Sequence, residues 1–341
     1  MGSIISNFLK PELTDFESEK NIEEKPFTIL NKIKYISQDC IRKNYFLCLN
    51  IENDQLTYYK KTLNDDMESI KRKFNNILLK KIRVEGKELS NKVYVFNNHV
   101  YKFTNLNSID LIKELHTKQI KNVLLPKQIY YQKLSNTYLE VFDYYKEGDM
   151  FEYLFEKNIQ LSLENKLKLY EKILKIVIDL HNNDLTHRDL KLENFVIDID
   201  EHNNINPILI DFEFLEKSYY YNDFRGGTLM YVPPERLNYN YKSYNFKSTD
   251  IWSLGMIFYI LVYEDVPWVE PKQDSYGFTD YHNFTKNCVD ESYWDNYVLN
   301  KNKLCNISSD YNEKFIKLFN YAFKFDYYNR DNIFTIYNIL Y

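Results

Sequence analysis

The alternation of apolar and polar positions changes character partway along the chain. From Phe27 to Lys61 the two kinds of residue alternate with the period of two that marks a half-buried strand meander. Leu63, Met67, Ile70, Phe74 and Ile77 then recur at helical spacing, which predicts an amphipathic helix packed on its neighbours. The segment VEGKELSNKVYVFNNHVYKF, 84–103, returns to alternation and reads as strand, loop, strand, a tight turn at Asn97 and Asn98, and strand. A short helix is expected around 108–120, then a hairpin within LLPKQIYYQKLSNTYLEVFDYY, 124–145. Beyond Gly148 the apolar spacing becomes helical at 150–156, 163–182, 249–264 and 311–324, interrupted by short strands at 194–198 and 207–211. The pattern describes an α+β chain, small and β-rich first, then larger and helical.

Composition narrows the class. The chain has 341 residues, about twice the usual single-domain length, so two lobes or a domain with an extension is expected. Apolar residues make up 44%, ample for a core, and with only seven glycines present each is a candidate for a backbone requirement. A net charge of −5 and no Lys/Arg-rich run argue against a nucleic-acid partner. Cys40, Cys48, Cys288 and Cys305 are dispersed, with no paired spacing and no secretory apolar segment at the start, which favours a reducing compartment without zinc. The longest apolar run, MIFYILVY at 256–263, is far short of the ~20 residues of a membrane span. The opening MGSIIS places Gly2 and Ser6 as in an N-myristoylation signal, so a cytoplasmic protein with possible peripheral membrane contact through one acyl chain is expected. A single chain holds a membrane only marginally.

Candidate chemistry lies in LTHRDLKLENFVID, 185–198, and LIDFEF, 209–214. Phosphoryl transfer needs a group to align the incoming hydroxyl, cations on the phosphates and ligands for a metal, with little covalent work for the protein. Asp189 can align the hydroxyl, Lys191 can put its charge near the transferring group, and Asn194 and Asp211 can hold a metal. These segments resemble the catalytic loop and metal-binding segment of the eukaryotic protein kinase family, with Glu213 where the family has glycine. Small-molecule kinases share a similar loop and strand but lack the set of downstream segments present in this chain. GGTLMYVPPERL, 226–237, resembles the peptide-positioning loop and the box ending in Glu235. STDIWSLGMIFYILVYEDVPW, 248–268, resembles the helix whose aspartate, Asp250, anchors the catalytic loop, and Arg330 falls where the family pairs an arginine with that glutamate.

The resemblance implies a bilobal protein kinase fold, with ATP and Mg2+ as cofactors and protein hydroxyls as substrates. It covers about 84–341 and implies a division into a loose start at 1–26, an extension at 27–80 packing on the small lobe, a small lobe at 81–142 and a large lobe at 143–341. Around the nucleotide it implies Phe142 as gatekeeper, Asp143 and Tyr145 at the hinge, Asp149 near the ribose, and Val196 beside the base. Glu114 is implied as the partner of the catalytic lysine, which is then Lys102 in HVYKF, with Asn107 or Ser108 capping the helix between them. A second registration puts the lysine at Lys60 or Lys61 within FLCLNIENDQLTYYKK, and leaves a long insertion before Glu114. The phosphate loop GKELSNKV keeps only Gly86 and Val93 of its pattern, with Glu88 and Asn91 at the other glycine positions.

His187 reads as structural. Arg188 is, in the family, the receiver of an activation-segment phosphate, and a salt bridge to Glu216 or Asp223 is an equal alternative. Lys191 together with Thr228 is the serine/threonine form of the loop, while Asp149, Glu152 and Glu193 could face either basic substrate side chains or solvent. The expectation is therefore a monomeric serine/threonine protein kinase, with a catalytically impaired binding module as the alternative.

Overall fold

The computed structural model describes residues 32–35, 45–50, 55–60, 87–90, 93–96, 98–104, 109–132, 137–217, 227–237, 245–267 and 292–341. The expected helix at 63–77, Gly86, the capping positions Asn107 and Ser108, and Gly2 lie outside them. The described residues form two compact units. One holds the residues up to 104 with Leu124–Tyr144, and the other holds the helix after Ser108 with everything from Tyr145 onward.

The first unit contains two antiparallel sheets. Strands β1 (Lys32–Tyr35), β2 (Tyr45–Asn50) and β3 (Gln55–Lys60) form the meander that alternation predicts at 27–61. Strands β4 (Lys87–Ser90), β5 (Val93–Phe96), β6 (His99–Thr104), β7 (Gln128–Gln132) and β8 (Thr137–Asp143) form a second sheet in the order β4-β5-β6-β8-β7. Asn98, at φ 62°, supplies the left-handed turn that lets β5 fold back on β6. Asparagine tolerates that region better than most residues with a Cβ. The register slips between Glu88 and Ser90, a bulge within the segment expected to be the phosphate loop.

The second unit begins with α1 (Ile109–Lys118), whose chain continuation is tied in by Leu209 N donating to Asn122 O at 2.9 Å. A π-helical turn comes next at Glu152–Glu156, then α2 (Leu163–Asn182), which spans the predicted bounds and is capped by the Ser162 hydroxyl accepting from Asn165 N. The segment carrying the candidate chemistry runs through β9 (Leu185–Thr186), β10 (Phe195–Ile199), β11 (Ile205–Leu209) and β12 (Glu216–Lys217), with β10 pairing β11 and β12 pairing β9. The remaining helices are α3 (Pro234–Leu237), α4 (Phe246–Tyr263), α5 (Tyr293–Leu304), α6 (Asn312–Ala322) and α7 (Ile333–Leu340). α4 starts earlier than its apolar spacing suggests, because the Asn245 side chain accepts from Lys247 N at 2.9 Å and caps a polar first turn. α5 and α7 were not foreseen from apolar spacing.

α4 is apolar on all sides and buried along nearly its whole length, which makes it the axis of this unit. Gly255 is required there: a Cβ would lie 2.7 Å from the Ala322 Cβ and 3.2 Å from the Phe323 ring. Helix propensity alone would favour alanine by about 1 kcal/mol. Overpacking on the order of 1–3 kcal/mol outweighs it. Aromatic edges and faces fill the rest, with Trp252 edge-on to Phe323 at 5.0 Å and Phe258 edge-on to Tyr170 at 4.9 Å.

Candidate active site

The loop between β9 and β10 cannot satisfy its own backbone, and a carboxylate from α4 does it instead. Asp250, fully buried, accepts from Arg188 N at 2.8 Å through Oδ1 and from His187 N at 3.0 Å through Oδ2, and the His181 ring nitrogen Nε2 lies 3.0 Å from that same Oδ2. Burial alone would push the Asp250 carboxyl up. The His181 hydrogen bond, the two imidazoles and the loop amide overcome that and hold it below the usual carboxylate range. The support is needed because Arg188 stands at φ 67°, a region that residues with a Cβ avoid. His187 is structural, as expected: its Nε2 lies 3.1 Å from Ile210 O and its ring packs edge-on against Phe212 at 5.5 Å.

On this frame three of the expected residues meet. Asp189 is only 8% exposed. Its Oδ1 accepts from Thr228 N at 2.7 Å and Thr228 Oγ1 at 3.0 Å, and its Oδ2 lies 3.2 Å from Lys191 Nζ. Lys191 also donates to Thr228 Oγ1 at 2.7 Å. Asn194 donates through Nδ2 to Asp189 O at 2.7 Å and to Oδ2 at 3.1 Å, which leaves its amide oxygen as the atom able to meet a metal. Asp211 follows Ile210, whose N–H donates to Asn194 O at 2.9 Å, so one backbone bond ties Asn194 to the residue before Asp211. An amide oxygen and a carboxylate are hard donors suited to Mg2+, which takes few protein ligands and completes its shell with water and phosphate. Asp211 carries the positive φ of this segment, 64°, and Glu213 is absent from the positive-φ residues, so its Cβ meets no penalty here.

The other expected nucleotide contacts divide between the units. In the second, Asp149 pairs with Val196 in an isolated bridge, and Ile197 N donates to Gly148 O at 3.0 Å. Tyr145 O accepts from Gly148 N at 3.2 Å, closing the turn before Asp149. Asp149 Oδ1 caps the next turn by accepting from Glu152 N, and burial raises its carboxyl despite that bond. Glu193 is likewise raised, by burial first, with the Asp149 and Asp189 carboxylates adding to it. In the first unit, Val93, Lys102 and Glu140 form one cross-strand row over β5, β6 and β8. Phe142 lies opposite Val100 and Asp143 opposite His99, with the Asp143 carboxylate 2.5 Å from Lys127 Nζ. Glu140 was not anticipated. It is 3% exposed and stands opposite Lys102, and buried carboxylates call for a cation.

Within its own unit Glu114 is held by Lys217, at 2.6 Å from both carboxylate oxygens, and by Lys118 at 2.9 Å. The Lys217 bond, and after it the Lys118 one, keeps it below the usual carboxylate range. Arg188 donates through Nε to Phe214 O at 2.6 Å and lies 4.6 Å over the Phe246 ring. Asp223 lies outside the described residues. Glu235 and Arg330 form the expected ion pair, both buried, with the guanidinium also donating to Ser248 O at 3.0 Å. Arg236 was missed: its Nη1 donates to Arg188 O at 2.9 Å, a contact without a local sequence signal.

Comparison with known proteins agrees with this geometry. A family model described as protein kinase domain matches residues 70–341. NUAK family SNF1-like kinase 2 of Homo sapiens is 35% identical over 131 residues, 38% of this chain and 20% of that protein. Serine/threonine-protein kinase KIN4 of Saccharomyces cerevisiae is 27% identical over 175 residues, 50% of this chain and 21% of that one. Calcium-dependent protein kinase 4 of Plasmodium berghei is 27% identical over 192 residues, 55% of this chain and 35% of that one. The matches span about a fifth to about a third of the length of these relatives. With the family matched over most of its length and the Asp189 loop held by Asp250 from within the helical unit, the chain belongs to the protein kinase domain family.

Proposed function

We propose that the chain is a serine/threonine protein kinase that transfers the γ-phosphoryl group of ATP to hydroxyls of protein substrates. The observation that carries this reading is the joint engagement of Asp189, Lys191 and Thr228, in which the lysine and the hydroxyl converge on one carboxylate. Asp189 accepts the proton of the incoming hydroxyl and aims its oxygen, and Lys191 offsets negative charge on the transferring group. Asn194 and Asp211 would hold Mg2+, which supplies charge neutralisation on the phosphates. Within the second unit, Asp149 and Val196 line the nucleotide. The reading extends to a monomer in the cytoplasm with Gly2 acylated, for which an intact mass lacking one added chain after coexpression with a myristoyltransferase is the refuting result.

A binding module without turnover is the second reading, favoured by Glu88 and Asn91 in the phosphate loop and by Glu213. The decisive assay is phosphate transfer to a generic basic protein by the wild type and by Asp189→Asn. Activity in the wild type that the substitution removes supports the enzyme. Equal signals from both proteins support the module.

A further inference from the structure

We propose that Arg236 is a positioning residue for the transfer step, fixing the Arg188–Asp189 peptide from its carbonyl side. This rests on the reading of Asp189 as the aligning carboxylate. The Arg188 residue is gripped at both ends: Asp250 Oδ1 accepts from its N–H at 2.8 Å, and Arg236 Nη1 donates to its carbonyl at 2.9 Å. The next residue in the chain is Asp189, so the plane of that carbonyl and the direction of the Asp189 Cα are set together. Between the two grips Arg188 holds a left-handed φ of 67°, which relaxes unless its surroundings over-determine it.

The neighbouring structure makes room for this contact and holds it in place. A Cβ on Gly227, at φ 91°, would stand 3.2 Å from Arg188 O and 3.2 Å from Arg236 Nη1, so a side chain there would crowd the bond. Thr228, the next residue, gives Asp189 two hydrogen bonds. Arg236 itself is anchored by its N–H on Pro233 O at 3.0 Å and by its neighbour Glu235, which is ion-paired with buried Arg330. Arg330 in turn donates to Ser248 O and lies 5.0 Å over the Trp252 ring. Ser248 and Trp252 flank Asp250 on α4. The same helix therefore holds the loop amide directly and the loop carbonyl through Arg330, Glu235 and Arg236.

The test compares the full chain as wild type, Arg236→Gln, Arg236→Lys and Asp189→Asn, by steady-state kinetics with ATP and a generic basic protein, and by hydrogen exchange in peptides covering 187–194. Loss of a charge-assisted bond that orients a reacting carboxylate should lower kcat about tenfold in Arg236→Gln while the KM for ATP stays within about twofold. Exchange should quicken at 187–194 and not in α2, and Arg236→Lys should recover most of kcat. Unchanged exchange at 187–194, wild-type kcat in Arg236→Gln, or a loss of kcat matched by a general rise in exchange across α2 overturns the proposal. If the wild type transfers no more phosphate than Asp189→Asn, the kinase reading fails by itself, and the exchange comparison alone then decides whether Arg236 holds the loop.

Discussion

Replacing Arg330 with leucine isolates a buried ion pair of the helical unit. Arg330 is 0% exposed and Glu235 3% exposed, so the substitution strands a carboxylate out of reach of water. Glu235 has no second support: its Oε2 is buried without a hydrogen-bond partner among the described residues. Removing one member of a buried pair costs about 3–5 kcal/mol. Leucine restores some apolar contact with Trp252, but the acceptors on Ser248 O and Lys324 O also lose their donor. In a domain of this size each kcal/mol moves Tm by about 2–4 °C, so Arg330→Leu should lower Tm by roughly 6–20 °C. Thermal unfolding monitored by circular dichroism measures this directly. The double variant Glu235→Leu with Arg330→Leu should melt above Arg330→Leu alone, because no charge is left buried and unpaired. A drop under about 3 °C in the single variant, or a double variant losing the full sum, refutes the reasoning.

Substitutions at the site carry two more expected outcomes. Lys102→Met should remove most phosphate transfer while Lys60→Met leaves most of it, since Lys102 sits on β6 beside β8, whereas Lys60 ends a separate sheet; the reverse result in the same assay would establish the second registration. The lowered Asp250 carboxyl contributes stability that is present above its unfolded value of about 3.9 and is lost as pH falls through its lower folded value. Asp250→Asn should therefore melt earlier at pH 7 and show a shallower decline in Tm below about pH 4 than the wild type. A parallel decline in the two proteins would remove Asp250 from the acid limb.

The sequence determined what short-range physics can encode. Apolar spacing set α2 to its bounds, because a helix with one buried face repeats its pattern locally and Ser162 caps it from the adjacent position. Alternation located the strands at 93–96 and 99–104, and the six residues from Asp189 to Asn194 are close enough along the chain for their grouping to be visible. Family resemblance reached further, to Asp250 and to the Glu235 and Arg330 pair. Other features needed the tertiary structure. α5 was missed because its periodic signal is weak and its Trp294 finds its place by stacking on Phe319 of α6, and α7 because eight residues are too few for a repeat to stand out. Glu140 beside Lys102, Lys217 on Glu114, and Arg236 on Arg188 O join residues whose spacing carries no message, since a long flexible side chain can meet any neighbour that folding brings within reach. The sequence thus supplies the reacting groups, while the direction in which Asp189 points depends on contacts made from α4 and from Arg236 across more than forty residues of chain.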